Sequence, residues 1–305
     1  MWLFPSTTPW CGFLSAPKCY RRVKGFLKPY AQTSSRRRAS ETCLSYEDIR
    51  SFISENTEVV AGGSLTPEIK LRLFTPNCRF WRERPELWPF SDPYWAIYWP
   101  GGQALSRYIL DNPDVCRDGS VLDLGSGCGA SSIAAKLCGA VHVVANDIDP
   151  VELPSTHSGG KPVECNMCPD LIGFARLSRG RRIRLLLRQW GNNCNGSYAA
   201  VVTKLNCELN KVEPPDCVTD DIIGSDRAGF DLILLGDMFY DETLSNSLHK
   251  WLDRCIKSHG SKVLIGDPGR AHFEGHDIRK LLHHVAQFEL PESVRQENYG
   301  LTSSH

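Results

Sequence analysis

The amino-acid sequence predicts an α/β fold in which helices cover both faces of a mostly parallel sheet, because three features occur together. An apolar strand runs into three alternating glycines over Val121–Gly129, and a helix of small residues follows at Ala130–Leu137. A second apolar strand, Val141–Ala145, ends in an acidic tip. Further apolar runs then alternate with helical segments. This alternation is typical of doubly wound, Rossmann-like folds.

The glycine-rich turn predicts a site for a nucleoside-containing cofactor. Gly125, Gly127 and Gly129 let the backbone approach a ligand closely, and the amides of the following helix N-terminus face that ligand. Asp147, at the tip of the second strand, has the position of the usual partner of a ribose hydroxyl. Because Gly125, Gly127 and Ala130 also satisfy the dinucleotide-binding pattern G-x-G-x-x-G/A, this pattern alone does not exclude a nicotinamide cofactor.

Two details favour S-adenosylmethionine (AdoMet) over a nicotinamide cofactor. Asp123 stands two residues before the first glycine, and a third glycine falls at Gly129. An acidic strand end followed by G-x-G-x-G resembles motif I of the seven-strand AdoMet-dependent methyltransferases. The resemblance implies that Asp123 helps to hold the methionine end of AdoMet and that Asp147 holds its ribose.

The composition limits the classes of partner. The length of 305 residues suits one α/β domain with appendages. Lysine plus arginine equal aspartate plus glutamate at 35 each, so no overall charge favours nucleic acid or a membrane surface. No apolar run approaches the length of a membrane span. We therefore expect no nucleic-acid partner and no membrane span.

Residues 1–40 differ in composition from the rest of the chain. They carry eight positive charges, and the first acidic residue is Glu41. An arginine-rich, serine-containing segment without acids has the composition of a mitochondrial transit peptide. The sequence therefore predicts a removable leader over residues 1–40 and a soluble protein of the mitochondrial matrix.

The 13 cysteines are scattered, and their odd number favours free thiols in a reducing compartment. Only Cys165 and Cys168 have the spacing of metal ligands. They lack a second pair at the distance of a zinc site, so we predict no metal.

The segment before the glycine-rich strand is expected to contribute to the site. Ser45–Asp48 can open a helix as a capping box, and Ile69–Leu73 alternates like a short strand. Most of the aromatic residues that follow are interpreted as core. Trp99 is different, because it precedes a helix at 103–110 that leads into the glycine-rich strand. We expect Trp99 to lie over the cofactor cleft, where its ring would attract a sulfonium by about 0.5–2 kcal/mol.

The regular alternation breaks off over residues 151–198, after the second strand. We predict a poorly ordered insert with at most a short helix near Arg181–Trp190. Asp221, the acidic tip of the third strand, is a further candidate for cofactor binding. The remaining elements are predicted as a helix at 199–210, strands at 217–221, 230–235 and 262–265, helices at 242–255 and 275–284, and a last strand at 286–290.

Asp237 and Tyr240 follow the fourth strand at its carboxyl end, where ligands bind in open parallel sheets. We expect both side chains to face the cofactor from the substrate side, as the candidate catalytic residues. Methyl transfer from a sulfonium to an amine needs neither a metal nor a covalent intermediate. It requires an unprotonated amine that is held in line with the methyl group, which is mainly positioning.

Asp237-x-x-Tyr240 looks like the D-x-x-Y signature of the seven-strand, non-SET protein lysine methyltransferases. The resemblance implies AdoMet as the cofactor and an AdoMet-dependent methyltransferase domain at 103–305, preceded by a substrate-side segment at 41–102. Within that family, the chain is similar to the members that methylate the beta subunit of the mitochondrial electron transfer flavoprotein, which implies lysines of that subunit as the substrate. The segments that carry this similarity are Ser64-Leu-Thr-Pro67, Asp92–Gln103, Leu205–Asn210, Leu235–Asp241 and Ile265–Arg270.

The chain departs from the family pattern in two places. The family has no counterpart of residues 151–198, and its members continue into a last apolar strand beyond the equivalent of Gly300. We therefore expect a sheet that lacks its last strand. Two other functions stay open: an inactive AdoMet-binding protein, and an NAD(P)-dependent oxidoreductase.

Overall fold

The computed structural model describes residues 1–3, 46–83, 93–148, 197–225 and 229–292. Its strands are β1 (Trp2–Leu3), β2 (Glu58–Val60), β3 (Leu71–Leu73), β4 (Ser120–Leu124), β5 (His142–Asn146), β6 (Asp216–Val218), β7 (Leu232–Gly236), β8 (Lys262–Gly266) and β9 (His283–His284). Its α-helices are α1 (Tyr46–Asn56), α2 (Arg79–Arg82), α3 (Pro100–Asp111), α4 (Ala130–Leu137), α5 (Tyr198–Leu209), α6 (Glu242–His259) and α7 (Ala271–Glu274).

The main sheet has the strand order β6–β5–β4–β7–β8–β1–β9. The five strands from β6 to β8 are parallel, and β1 runs antiparallel to both β8 and β9. The order reverses at β4, from which the chain proceeds to β5 and β6 on one side and to β7 and β8 on the other. The fold class predicted from the sequence is confirmed, and a crevice lies at the reversal, outside the carboxyl ends of these strands.

Two apolar cores lie on the two faces of the sheet. On one face, Val121 and Leu234 belong to the core that includes residues of α3 and α4. On the other face, Leu122 and Ile233 pack with α6, whose Trp251 is buried. Because the strands are buried on both faces, they appear in the sequence as continuous apolar runs.

A smaller sheet of β2 and β3 is attached to the main domain by Asn206 of α5 and by Asn210, which follows this helix. The Asn206 amide oxygen accepts from the Arg72 N–H at 2.7 Å, and its nitrogen donates to the Cys128 carbonyl at 2.9 Å. Asn210 forms hydrogen bonds with both the N–H and the carbonyl of Lys70. Because Cys128 lies in the glycine-rich turn, α5 connects the N-terminal segment to that turn.

The first residues of the chain form the antiparallel strand β1. Trp2 pairs with Ile265 of β8 and with His284 of β9. The Met1 amine donates to the Ala286 carbonyl at 3.0 Å. This strand lies between β8 and β9 in the seven-stranded sheet.

Two sequence-based predictions concern the ends of the chain: a missing last strand and a removable leader. Residues 293–305, where the expected last strand of the family would follow, lie outside the described residues. Removal of a leader over residues 1–40 would also remove β1, so the predicted leader does not explain why β1 pairs with β8 and β9. Residues 4–40 lie outside the described part. The leader remains a prediction.

The helix predicted at 275–284 and the strand predicted at 286–290 are wrong. The α7 helix ends at Glu274, a 3₁₀-helix covers Asp277–Leu281, and the strand is β9. The helix ends before Gly275 because the His276 ring nitrogen accepts from the Ile278 N–H at 3.1 Å and starts a new turn. The extended backbone of β9 depends on pairing with β1, which local sequence does not encode.

The predicted helix at 199–210 is confirmed, with a start one residue earlier. Ser197 caps it by accepting from the Ala200 N–H at 3.2 Å. Tyr198 is buried and stacks on Trp95 with ring centroids 5.3 Å apart. Ser197 and Tyr198 therefore belong to the domain rather than to the insert. Residues 151–196 lie outside the described residues, together with the helix predicted near residues 181–190.

Candidate active site

A shallow cleft in two adjoining parts follows the glycine-rich turn across the ends of β4 and β5. One part is lined by residues from β4 and its turn, the start of α3 with the residue before it, and the end of β7, among them Trp99, Asp123, Gly125, Gly127 and Gly236. The other part is lined by Ser126, Ala145, Asp147, Ala200, Cys217 and Val218. Ser126 also lines the first part, so the two parts adjoin. The cleft lies where the strand order reverses, as predicted.

The glycine-rich turn is held in one conformation. Gly125 has a φ of +69°, and a Cβ at this position would collide with the sulfur of Met238. The N–H groups of Gly125 and Ser126 donate to the Asn146 carbonyl at 2.8 and 3.0 Å. These bonds join the turn to the end of β5, so the two walls of the cleft are fixed relative to each other.

Asp123 is buried at the end of β4 and connects this strand to α4. Its Oδ2 accepts from the N–H and the hydroxyl of Ser132 at 2.9 and 2.7 Å. Burial, with a smaller contribution from the charge of Asp147, raises the pKa of Asp123 to about 6, although the two bonds from Ser132 oppose this rise. Because Asp123 also lines the cleft, an ammonium group bound there would favour its ionised form.

Asp147 holds the glycine-rich turn from the β5 side. Its Oδ2 accepts from the Gly127 N–H at 2.8 Å, and its own N–H donates to the Val218 carbonyl at 3.0 Å. It lines the cleft between Ala200 and Cys217. The carboxylate thus borders the part of the cleft that lies farther from Trp99, where a ribose would be expected.

Asp221 occupies a different environment. It is exposed, and its Oδ1 accepts from the Ile223 N–H at 2.9 Å, a local turn contact. Asp221 is not among the residues that line the described cleft. The end of β6 is instead fixed by Asn146, whose amide nitrogen donates to the carbonyls of Val218 and Asp220. The cofactor contact predicted for Asp221 therefore has no counterpart in this arrangement.

We expect Asp147→Ala to weaken AdoMet binding about 10- to 100-fold, the scale of a hydrogen bond to a charged group. The free energy of unfolding should change by less than the free energy of AdoMet binding, because Asp147 lies at the cleft edge and its removal leaves no large cavity. Isothermal titration and urea unfolding measure the two quantities. Asp221→Ala is the matched control, with AdoMet affinity close to that of the unmodified protein. Equal affinities in all three proteins would remove Asp147 from the site.

Asp237 lies beneath the cleft wall instead of facing a substrate amine. It is 6% exposed and has a φ of +60°. Its Oδ2 accepts from the N–H groups of Gly101 and Gly102 at 2.5 and 3.2 Å. Its Oδ1 accepts from the Arg270 guanidinium. Both oxygens thus bond groups of the protein, unlike the sequence-based expectation that this carboxylate faces the substrate, and the catalytic role of Asp237 remains a prediction.

Tyr240 and Trp99 lie nearer to solvent. Tyr240 is 59% exposed, and partial burial, with the charges of Asp147 and Asp241, raises the pKa of its phenol, which therefore stays protonated near neutral pH. Trp99 lines the cleft and donates through Nε1 to the Tyr94 carbonyl at 3.0 Å. The structure thus places Trp99 where the sequence predicted it. The catalytic role of Tyr240 remains a prediction.

Asp267 lies next to the Asp237–Arg270 pair. Its Oδ1 accepts from the N–H groups of Gly269 and Arg270 at 2.8 and 2.7 Å, and its Oδ2 lies 3.8 Å from the Arg270 Nε. Burial, with a contribution from the charge of Asp237, raises the pKa of Asp267 to about 7. This carboxyl group is therefore partly protonated near neutral pH.

The raised pKa of Asp267 gives a pH-dependent stability. The unfolded chain releases this proton near the ordinary pKa of 3.8 and the folded chain near 7, so the contribution of Asp267 to stability falls as the pH rises between these values. We expect Asp267→Asn to remove this fall, at most about 1.4 kcal/mol per pH unit. Urea unfolding of both proteins at pH 5 and 7.5 measures it. Identical pH dependence in both would contradict the prediction.

Several residues that shape the site were not found from the sequence. Asn146 and Asn206 hold the glycine-rich turn through its backbone, Ser132 bonds Asp123, and Arg270 pairs with Asp237. In the sequence, the segment Ile265–Arg270 is informative only through a family resemblance. An arginine four residues after a buried strand was the available signal, but its partner is 33 positions away.

Two further findings apply to the described part of the chain. No group of three or more histidine, cysteine, aspartate or glutamate side chains is arranged to hold a metal ion there. None of the helices described combines the length and apolar character needed to cross a membrane. Cys165 and Cys168 lie outside this part.

Comparison with known proteins agrees with the fold and the cleft. Residues 103–172 match the family model of the ribosomal protein L11 methyltransferase (PrmA). The chain is 55% identical to the electron transfer flavoprotein beta subunit lysine methyltransferase of Danio rerio, over 89% of this chain and 86% of that protein. It is 49% identical to the Homo sapiens protein of the same name, over 84% and 80% of the two chains.

A more distant relative extends the same relationship. The chain is 31% identical to the Caenorhabditis elegans electron transfer flavoprotein beta subunit lysine methyltransferase homolog, over 81% of this chain and 90% of that protein. The matched regions cover 80–90% of these three relatives. The chain belongs to the family of the electron transfer flavoprotein beta subunit lysine methyltransferases.

Proposed function

We propose that the protein transfers a methyl group from AdoMet to lysine side chains of the beta subunit of the electron transfer flavoprotein, in the mitochondrial matrix. The observation that carries the AdoMet part is the cleft itself. It places Trp99 and Asp123 on one side of the glycine-rich turn and Asp147 on the other. The names of the relatives support the substrate.

The residues present fit AdoMet. The buried carboxylate of Asp123 borders the part of the cleft near Trp99, so it suits the cationic amino-acid end. Asp147 borders the other part, beside the apolar Ala200 and Cys217, so it suits a ribose next to an adenine. AdoMet, when bound, supplies a methyl group on a sulfonium with a neutral leaving group. The ring of Trp99 is a suitable neighbour for a sulfonium, worth about 0.5–2 kcal/mol.

The chain's part in the reaction is mainly to hold the two reactants in line. A lysine amine must be unprotonated and directed at the methyl group, and such orientation lowers the barrier by restricting motion in advance. Tyr240 stays protonated and exposed at the carboxyl end of β7, from where its hydroxyl can accept from or donate to an incoming amine. Loss of the amine proton to water then frees the nucleophile.

The test uses the purified protein, tritiated AdoMet and the purified beta subunit of the electron transfer flavoprotein. We expect label on lysines of that subunit, located by mass spectrometry. Matrix extract in place of the purified subunit tests whether it is the preferred acceptor. AdoMet binding without labelling of any protein would indicate an inactive binding protein, and binding of NAD or NADP in place of AdoMet would contradict the methyltransferase function.

The matrix location is supported by the composition of residues 1–40, which carry eight positive charges before the first acidic residue. A fusion of residues 1–45 to a fluorescent reporter should enter mitochondria and be processed. A matched fusion in which the arginines at 36–38 are replaced by glutamate should remain outside. Import that does not depend on these charges would contradict a transit peptide of this kind.

A further inference from the structure

Arg270 lies directly behind the wall of the cofactor cleft. Its side chain is 10% exposed, and its guanidinium donates to Oδ1 of Asp237, which is itself buried. The Arg270 Cζ also lies 5.7 Å from the centre of the Trp99 ring. One cation thus contacts both a buried carboxylate and the aromatic residue that lines the cleft.

Asp237 connects Arg270 to the backbone that carries Trp99. The two amides bonded by Asp237 Oδ2, those of Gly101 and Gly102, lie in the first turn of α3, and Trp99 immediately precedes this helix. An ionised carboxylate is stabilised at such a helix N-terminus. Arg270 therefore fixes the Trp99 segment in two ways, through the ring of Trp99 and through the start of α3.

Close packing makes this attachment tight. Gly101 lies against Gly266 at the end of β8 so closely that a Cβ on either residue would overlap the backbone of the other. The Asp237 N–H donates to the Gly266 carbonyl at 2.9 Å. The start of α3, the end of β7 and the end of β8 therefore form one rigid contact, to which Arg270 is bonded through Asp237.

We propose that Arg270 is a positioning residue of the cofactor site, which acts through Trp99 and Asp237 and does not touch the cofactor. Its planar guanidinium is suited to this role because it stacks on an aromatic ring and binds a carboxylate at the same time. A lysine ammonium retains the charge but offers no planar face to Trp99. The consequence for binding rests on the proposed use of AdoMet, whereas the position of the Trp99 ring does not.

The first test measures the Trp99 ring in the absence of cofactor. Acrylamide quenching is compared between each protein and the same protein with Trp99→Phe, so that the difference reports Trp99 alone. We expect Arg270→Lys to make Trp99 clearly more accessible to acrylamide. Arg254→Lys is the matched control, because Arg254 donates to the Gly224 carbonyl on the exposed surface and does not line the cleft. It should leave the quenching of Trp99 unchanged.

The second test measures catalysis with AdoMet and the protein acceptor. We expect Arg270→Lys to raise the KM for AdoMet about tenfold, the scale of one cation–π contact, while kcat changes by less than about threefold. A merely structural role would lower the amount of active protein, and hence kcat, without raising KM. Failure of the unmodified protein to bind AdoMet would contradict the proposed function, and the quenching result would still decide the role of Arg270.

A double variant guards against loss of folding. Asp237→Asn with Arg270→Met removes both buried charges, and the Asn oxygen can still accept from the Gly101 N–H. If Arg270→Lys does not fold, this variant should fold, as measured by circular dichroism, and should show the same increase in Trp99 accessibility. Unchanged quenching and unchanged KM in a folded Arg270 variant would overturn the proposal, as would an equal change in Arg254→Lys.

Discussion

Asp237→Ala is expected to destabilise the protein by about 3–5 kcal/mol, the usual cost of removing one partner of a buried ion pair. The Arg270 guanidinium, 10% exposed, would lose the carboxylate oxygen to which it donates. The amides of Gly101 and Gly102 would lose their acceptor as well. Since domains of this size are stable by about 5–15 kcal/mol, much of the margin would be lost.

Urea unfolding measures this cost, and two variants provide its controls. Asp237→Asn retains an acceptor for the Gly101 amide and suits the φ of +60°, so its cost should be smaller. Asp241→Ala removes a neighbouring aspartate that accepts from the Leu244 N–H at the start of α6, and should cost only about 0.5–2 kcal/mol. If Asp237→Ala costs no more than Asp241→Ala but abolishes methyl transfer, Asp237 acts on the substrate, as the sequence suggested.

The direction of the Asp237 side chain cannot be predicted from the sequence around it. A carboxylate after an apolar strand is correctly assigned to the carboxyl edge of the sheet. Its direction is set by Arg270, 33 residues later, and by Gly101, 136 residues earlier. Neither pairing produces a recognisable pattern in the sequence around Asp237. The same holds for Asn206, whose contact with Cys128 spans 78 positions.

The parallel strands were predictable for the opposite reason. Each of β4, β5, β7 and β8 is buried on both faces, so its apolar run marks it in the sequence without knowledge of its neighbours. The short strands β1 and β9 contain two residues each and exist only because β1 pairs with β8 on one side and with β9 on the other. Local propensity cannot identify such elements.

The glycine-rich turn was predictable because its residue types are required by both conformation and space. Gly129 has a φ of +78° and precedes α4. A Cβ on this residue would lie 2.7 Å from the Cγ2 and Oγ1 atoms of Thr203 on α5. Thr203 is fully buried and branched at Cβ, so it has little freedom to move away.

We therefore expect Gly129→Ala to cost about 2–5 kcal/mol, from about 1–2 kcal/mol of left-handed strain and about 1–3 kcal/mol of overpacking against Thr203. The turn and the start of α4 must shift to relieve the contact, and Asp123 is bonded to Ser132 in that first turn. AdoMet affinity should therefore fall by at least about tenfold, since a shift of this wall would forfeit at least one polar contact.

Gly260→Ala separates the two causes. Gly260 has a φ of +69° at the end of α6, and nothing lies within 4 Å of a Cβ built there. This variant carries the strain without the contact, so it should cost about 1–2 kcal/mol and bind AdoMet normally. Urea unfolding and isothermal titration compare the two variants. If Gly129→Ala matches Gly260→Ala in both measurements, Thr203 yields to the new methyl group and the turn does not depend on the absence of a side chain at Gly129.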